Sequence, residues 1–136
     1  MLTIVVTQEM ARVPVAVMSL EGELDAASYM EAIASARELV EAGTTYVLMD
    51  LERLTYIGSS GLFVVHSVAM LLRGVEPPDP ESGWGAIHQA EGSEEESAQK
   101  LKLLSPQPQV DRALDRSGMK RFFETYTDRA EALGSF

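Results

Sequence analysis

Two adjacent hydroxyls, in the run Gly58-Ser59-Ser60-Gly61, are the side chains best placed to do chemistry. The run superficially resembles a nucleophile elbow, G-x-S-x-G. Ser59 would need a second glycine at position 57, where Ile57 stands. Ser60 would need one at position 62, where Leu62 stands. No G-x-x-x-x-G-K-[ST] or G-x-G-x-x-G run offers backbone amides to a nucleotide phosphate. The two histidines, His66 and His88, have no ligand spacing between them, and the chain has no cysteine. That removes thiolate chemistry, disulfides and the usual structural metal sites. Catalytic parts are therefore missing, and the chain reads as a binding module, not an enzyme, with no metal and no cofactor.

What the serine run can do follows from its place. It sits where the connection from an apolar strand meets the start of an apolar helix. One serine is expected to cap that helix, a contribution of about 1 kcal/mol, with Gly58 and Gly61 shaping the turn. A phosphate on Ser59 would bring about two negative charges to a helix N-terminus, which tolerates them through its free N–H groups and dipole. The following helix is too apolar for a fully solvated face. Phe63 and Met70 are therefore expected to form a contact patch beside the serines. A partner docked there with an apolar or acidic surface would be repelled by the phosphate, which makes the turn a binding switch.

Bulk properties narrow the class of partner. The chain has 136 residues, enough for one domain with a real core. Its 11 basic and 21 acidic residues leave a net charge of -10. Nucleic acid is excluded as a partner, because too few cations are present to displace phosphate counterions. No apolar run approaches the ~20 residues that span a bilayer, so no membrane insertion is expected. Met1 to Val6 lacks the basic flank and cleavage site of a signal peptide. A cytoplasmic protein is expected. Self-association as a weak homodimer stays open.

The elements that must position the serines can be read along the chain. Thr3 to Val6 and Arg12 to Leu20 are β-branched or alternating runs and are expected to pair as a hairpin. Pro14 places the start of the second run at a strand end or an edge. Gly22-Glu23-Leu24-Asp25 breaks the pattern, and Asp25 is expected to cap a helix over 26–42. Met30, Ile33, Ala36 or Arg37, and Val40 would form its buried stripe, with Gly43 as stop. Tyr46 to Met49 reads as a strand buried on both faces. Leu51 to Ile57 reads as a connection. A second helix runs from Leu62 to Arg73 with core positions Leu62, Val65, Ala69 and Leu72. Residues 75–100 carry seven acids and one base, with Pro77-Pro78-Asp79-Pro80 and Glu94-Glu95-Glu96. Such a stretch buries too little apolar area to offset its ordering entropy and reads as an inserted acidic loop. Within it, Trp84-Gly85-Ala86-Ile87 is a candidate anchor for a partner. Leu101 to Leu104 restores a strand. Ser105 and Pro106 open a third helix through Val110 and Leu114 to Gly118. Phe122 to Tyr126 is a last strand, and Thr127 caps a terminal helix over 128–133. The expected fold class is α/β: one domain, a mixed and mostly parallel sheet with about four helices, in the order ββαβα(insert)βαβα.

Three segments together resemble the STAS domain family, and most closely the bacterial anti-sigma factor antagonists. Gly22-Glu23-Leu24-Asp25 is similar to the family's G-x-L-D. Val47-Leu48-Met49-Asp50-Leu51 followed by Tyr56-Ile57-Gly58-Ser59-Ser60-Gly61-Leu62 is similar to its strand and D-S-S-G-L element. Ser105 to Leu114 with Ser117-Gly118-Met119 is similar to its C-terminal helix and the ending of that helix. The resemblance implies partner switching. An anti-sigma factor that is also a serine kinase would bind the chain and phosphorylate Ser59, and a PP2C-type phosphatase would restore it. With the contact patch read above, the expected binding residues are Asp25, Gly58, Ser59, Ser60, Gly61, Phe63 and Met70. Gly58 stands where the family has Asp, a carboxylate that would lie beside the phosphoacceptor. A second reading is therefore kept: a non-phosphorylated STAS scaffold in a stress-signalling or lipid-transport complex.

Overall fold

A computed structural model describes residues 1–77 and 100–136. The Trp84-Gly85-Ala86-Ile87 anchor and His88 lie outside the described residues. The chain opens with a hairpin, β1 (Leu2–Met10) and β2 (Pro14–Leu24). The two strands pair antiparallel over nine positions, from Leu2 opposite Gly22 to Met10 opposite Pro14. Both run further than local pattern suggests, because each supplies the other's main-chain partners. Pro14 starts β2, where its missing N–H breaks no ladder. The strand is central in the sheet.

Helix α1 (Tyr29–Glu41) leads to β3 (Val47–Asp50), and β4 (Leu54–Ile57) precedes α2 (Ser59–Leu72). Then come β5 (Leu101–Leu104), α3 (Pro108–Arg116), a 3-10 turn (Met119–Arg121), β6 (Thr125–Tyr126) and α4 (Arg129–Gly134). The sheet order is β1-β2-β3-β5-β6, with β4 also paired to β2. Every pairing except β1 with β2 is parallel. The α/β class and the mixed, mostly parallel sheet are as expected, with four helices among the described residues.

One strand departs from expectation. Residues 54–57 are not a plain connection but β4. The cause lies in β2, which has 11 residues where β3 has four. Beyond Ser19, which faces Asp50, the end of β2 has no β3 to pair with, and β4 takes that edge from Gly22 to Leu24. The changeover occurs at a register shift between Gly22 and Glu23. Gly22 has φ +102°, and a Cβ on it would meet the Met1 carbonyl oxygen at 2.1 Å. The outer side of β4 is tied to α3 instead of to another strand. Gln109 Nε2 in α3 donates to the Thr55 carbonyl of β4 at 2.9 Å, and Gln107, just before α3, donates from Nε2 to the carbonyl of Glu52, just before β4, at 2.8 Å.

The sheet buries both faces. Ala16, Met18 and Leu20 of β2 with Val47, Met49, Leu101 and Leu103 meet α1, α2 and α3 through Ala32, Ala36, Val65, Val68, Val110 and Leu114. Val15, Val17, Leu48 and Leu104 on the other face meet Ala132 of α4. Helix α1 is rotated from the expected stripe. It buries Ala32, Ala36 and Leu39, whereas Met30 is exposed. Alanines let the helix approach its neighbours closely, so the small residues face inward and Met30 is left outside. The strand expected over 122–126 shrinks to Thr125–Tyr126, since Phe123 turns into the main core. Helix α4 is capped by Asp128, not Thr127: the Asp128 carboxylate accepts from Glu131 N–H at 3.2 Å.

The α4 face also holds a buried cation. Lys102 Nζ lies 3.0 Å from a Glu124 carboxylate oxygen and donates to Ser135 through its carbonyl (2.9 Å) and hydroxyl (3.0 Å). The Phe136 ring lies 4.8 Å from the same nitrogen. These contacts tie the end of the chain to the middle of β5.

Candidate functional site

The serine turn stands at the C-terminal ends of two paired strands. Leu24 and Ile57 are register partners, so Asp25 and Gly58 leave the sheet side by side. Gly58 N–H donates to the Leu24 carbonyl at 3.0 Å, which stitches the two exits together. In open α/β sheets ligands bind outside this end of the strands.

Ser59 and Ser60 are the first two residues of α2, and the residue that precedes the helix is Gly58. Neither serine caps the helix, and no side chain does. The expectation of a serine cap is corrected, because both hydroxyls start inside the helix instead of one residue before it. Leu62 N–H closes the first turn onto the Gly58 carbonyl at 3.1 Å. The earlier amides, those of Ser59, Ser60 and Gly61, are the donors a helix start leaves unfilled. No acidic residue stands in this first turn. Ser59 is exposed, Ser60 half-buried and Gly61 buried.

The two glycines have different reasons. Gly58 has φ -96° and ψ -172°, extended backbone open to any residue. A Cβ there would meet the Tyr56 hydroxyl at 3.1 Å, so the phenol covers the place where a side chain would project. Gly61 is a matter of space. Its Cβ would lie 2.5 Å from Ile57 Cγ1 and 2.8 Å from the Leu24 carbonyl oxygen. The first turn of α2 is thus pressed against the ends of β2 and β4, which presents Ser59 outward.

Asp25 is close to the turn but not as a helix cap. Its carboxylate accepts from Ala27 N–H at 3.0 Å, and Ser28 precedes α1 without a capping bond. The Ser28 hydroxyl lies 2.8 Å from the Glu23 carbonyl and 3.1 Å from an Asp25 carboxylate oxygen. Residues 25–28 form a tight turn that delays α1 to Tyr29.

Phe63 and Met70 do not form an open patch. Each is only 7% exposed. The Phe63 ring packs edge-on to Tyr29 with centroids 6.4 Å apart, joining the starts of α1 and α2. Burial extends round nearly the whole of α2, from Phe63 to Leu72. An all-round apolar helix signals an interior position as readily as a docking face. The apolar groups that stay open near the turn are different ones. Tyr56 on β4 is 52% exposed, and Met30 stands in the first turn of α1. Strand alternation would not have found Tyr56, because it puts Tyr56 on the same face as buried Leu54; Thr55 and Tyr56 are both exposed in the folded domain.

No cluster of metal-ligating side chains occurs among the described residues. None of their helices is long and apolar enough to cross a membrane. The site is a surface: an exposed hydroxyl on an uncapped helix start, between two strand exits, beside an exposed aromatic ring.

An α/β domain with this strand order and a serine pair opening its second helix defines a class, and sequence comparison gives it a family. The STAS domain family matches residues 5–76, from β1 through α2, and the chain belongs to that family. Solved structures share the fold. An anti-sigma factor antagonist from Mycobacterium paratuberculosis superposes with a TM-score of 0.68 at 19% identity, over 98% of this chain and 92% of that one. The unphosphorylated form of the anti-sigma factor antagonist SpoIIAA gives 0.58 at 23% identity, over 94% and 92%. A putative anti-sigma factor antagonist from Thermotoga maritima gives 0.66 at 16% identity, over 93% and 90%. No curated protein sequence matches the chain.

Proposed function

We propose that the domain is an anti-sigma factor antagonist whose partner is an anti-sigma factor with serine kinase activity. The partner docks on the strand exits around Asp25, Gly58, Ser59, Ser60 and Gly61, with Tyr56 as the open aromatic contact. Phosphorylation of Ser59 releases it, and a PP2C-type phosphatase resets the surface. The chain itself performs no catalytic step in this scheme.

The observation that carries the reading is the placement of Ser59. Its hydroxyl is exposed at the first position of a 14-residue helix whose start has no capping side chain. A phosphate there gains from the free amides and the helix dipole, so the fold accommodates the modified state. The same phosphate presents about two negative charges to anything docked on the rim, where a buried unpaired charge is costly. A small modification thus separates bound from free without unfolding.

The expected result is that the cognate kinase with ATP adds one phosphate by intact mass, and that Ser59→Ala accepts none. Ser59→Ala should keep the wild-type urea midpoint, because the hydroxyl makes no capping bond. Ser59→Asp should weaken binding of the anti-sigma factor by at least about tenfold, corresponding to about 1.4 kcal/mol.

Gly58 favours a second reading. No carboxylate projects from the residue before Ser59, and the Tyr56 phenol covers that place. In this version the domain is a constitutive STAS scaffold. Its signature is stable binding to a partner that Ser59→Asp leaves unchanged, with no phosphate added by any candidate kinase.

A further inference from the structure

Among the described residues, five of the six strands have both main-chain edges paired, tied or cut short, and β1 has one long edge that is not. Strands β2, β3 and β5 are interior to the sheet. The β4 edge has four residues and is tied to α3 by Gln109. At the far side β6 has two residues. Strand β1 has nine and forms the opposite edge. Among the described residues, nothing but β2 pairs with its main chain. It contains no proline, no lysine and one charge, Glu9, at its far end. The pairing with β2 is continuous over all nine positions, without a bulge. Val5 is 45% exposed and Val6 37%. Proteins usually blunt such edges with charges, prolines, bulges or short strands, because an open edge is a template for another strand.

We propose that β1 pairs antiparallel with β1 of a second copy, joining two sheets about a two-fold axis that passes through Val6. Symmetry and charge select this arrangement. In a two-fold pair perpendicular to the sheet, residues opposite each other share a face, so their numbers sum to an even value. A sum of 12 is the register that pairs all nine residues, from Leu2 with Met10 to Val6 with Val6 of the second copy. It sets Glu9 opposite Thr3, so the strand's one carboxylate meets no like charge. Val6 then lies beside Ile4 on the face that packs toward the main core, extending that apolar strip across the junction. On the other face Thr3, Val5 and Thr7 continue as a β-branched row, a composition suited to cross-strand packing.

Interface size sets the strength. Nine residues give about 30 Å of edge, and a layer about 10 Å deep buries roughly 600 Å² in all. That is at the weak end of specific contacts, below the ~1,200 Å² of stable ones. The copies also repel, since each carries a net charge of -10. Self-association is therefore concentration-dependent and strengthens as salt screens the charge.

Sedimentation of the full chain over about 10–500 µM tests this at low and high sodium chloride, a range suited to weak interfaces. The expected result is a reversible monomer–dimer equilibrium that tightens with salt. Val6→Lys should weaken it at least tenfold with the circular dichroism spectrum and unfolding midpoint unchanged, since the side chain lies at the edge. The absence of cysteine gives a clean register test. Val6→Cys should oxidise to a disulfide-linked dimer. Gln8→Cys should not, because in this register its two copies lie about 14 Å apart along the strands, beyond disulfide reach. A chain that stays monomeric throughout overturns the proposal. So does a dimer that Val6→Lys leaves intact, or cross-linking of Gln8→Cys as readily as of Val6→Cys.

Discussion

Gly61→Ala is expected to lower stability by about 2 kcal/mol and to shift the thermal midpoint down by roughly 8 °C. The added methyl group would meet Ile57 Cγ1 at 2.5 Å and the Leu24 carbonyl oxygen at 2.8 Å. The first could yield by a change of rotamer. The second is backbone, held in place by the Gly58 N–H bond and the β2–β4 pairing. Overpacking of this kind costs up to ~3 kcal/mol, and alanine's better helix propensity returns ~1 kcal/mol of it. Relief requires the start of α2 to move off the strand ends, which displaces Ser59 with it. Phosphate uptake should therefore fall along with stability, although position 61 presents no chemical group. Gly58→Asp makes the contrast. Its extended backbone accepts any residue, aspartate is favoured before a helix, and the crowding Tyr56 end is exposed and free to move. That variant should gain a few tenths of a kcal/mol. Urea unfolding midpoints of the two variants should move in opposite directions. Equal losses would show that the turn, not the close approach at Gly61, limits the site.

Lys102→Ala is the second large effect, with an expected loss of about 3 kcal/mol. The Lys102 side chain is only 7% exposed, and its stem is packed in the α4 face of the sheet. Truncation removes that packing, the contact with Glu124 and both bonds to Ser135. The end of the chain loses its tie to β5, so protease cleavage after α4 should accelerate. Lys102→Met keeps the stem and discards the charge. Buried ion pairs often exchange for apolar groups at little cost, so this variant should lose no more than about 1 kcal/mol. An equal loss in both would assign the effect to charge instead of packing.

The partner carboxylate adds a pH signature. The Tyr126 hydroxyl donates to Glu124, and that bond, with Lys102 next to it, holds the Glu124 carboxyl below its ordinary value of 4.5. A group with a depressed folded value stabilises the fold above its unfolded value, and that stability is lost as pH falls through the folded one. The wild type should therefore lose stability more steeply below pH 4.5 than Glu124→Gln does. Glu124 is largely exposed, so the difference in slope should be small and should shrink with salt.

What the sequence by itself determined is what short-range chemistry controls. The hairpin, the doubly buried run at Val47–Met49 and the glycine stops at Gly43, Gly74 and Gly118 are all present, the last three at positive φ. Each follows from a residue's own conformational range or from a pattern a few residues long. The placing of the serine run at a helix start also follows from local pattern, a glycine turn joined to an apolar stretch. Tertiary structure decided the rest. Residues 54–57 became a strand because β2, more than 30 residues earlier, outruns β3 and leaves an edge to fill. Phe63 and Met70 turned inward because α2 is enclosed nearly all round, and periodicity cannot tell an enclosed helix from one with an open apolar face. The helix start lost its expected serine cap because α2 begins at Ser59 and not at Leu62, with Gly61 inside the first turn and packed against Leu24 and Ile57. That same contact turns Ser59 outward, so the exposure that makes it a candidate switch is a property of the packed domain and not of the serine run alone.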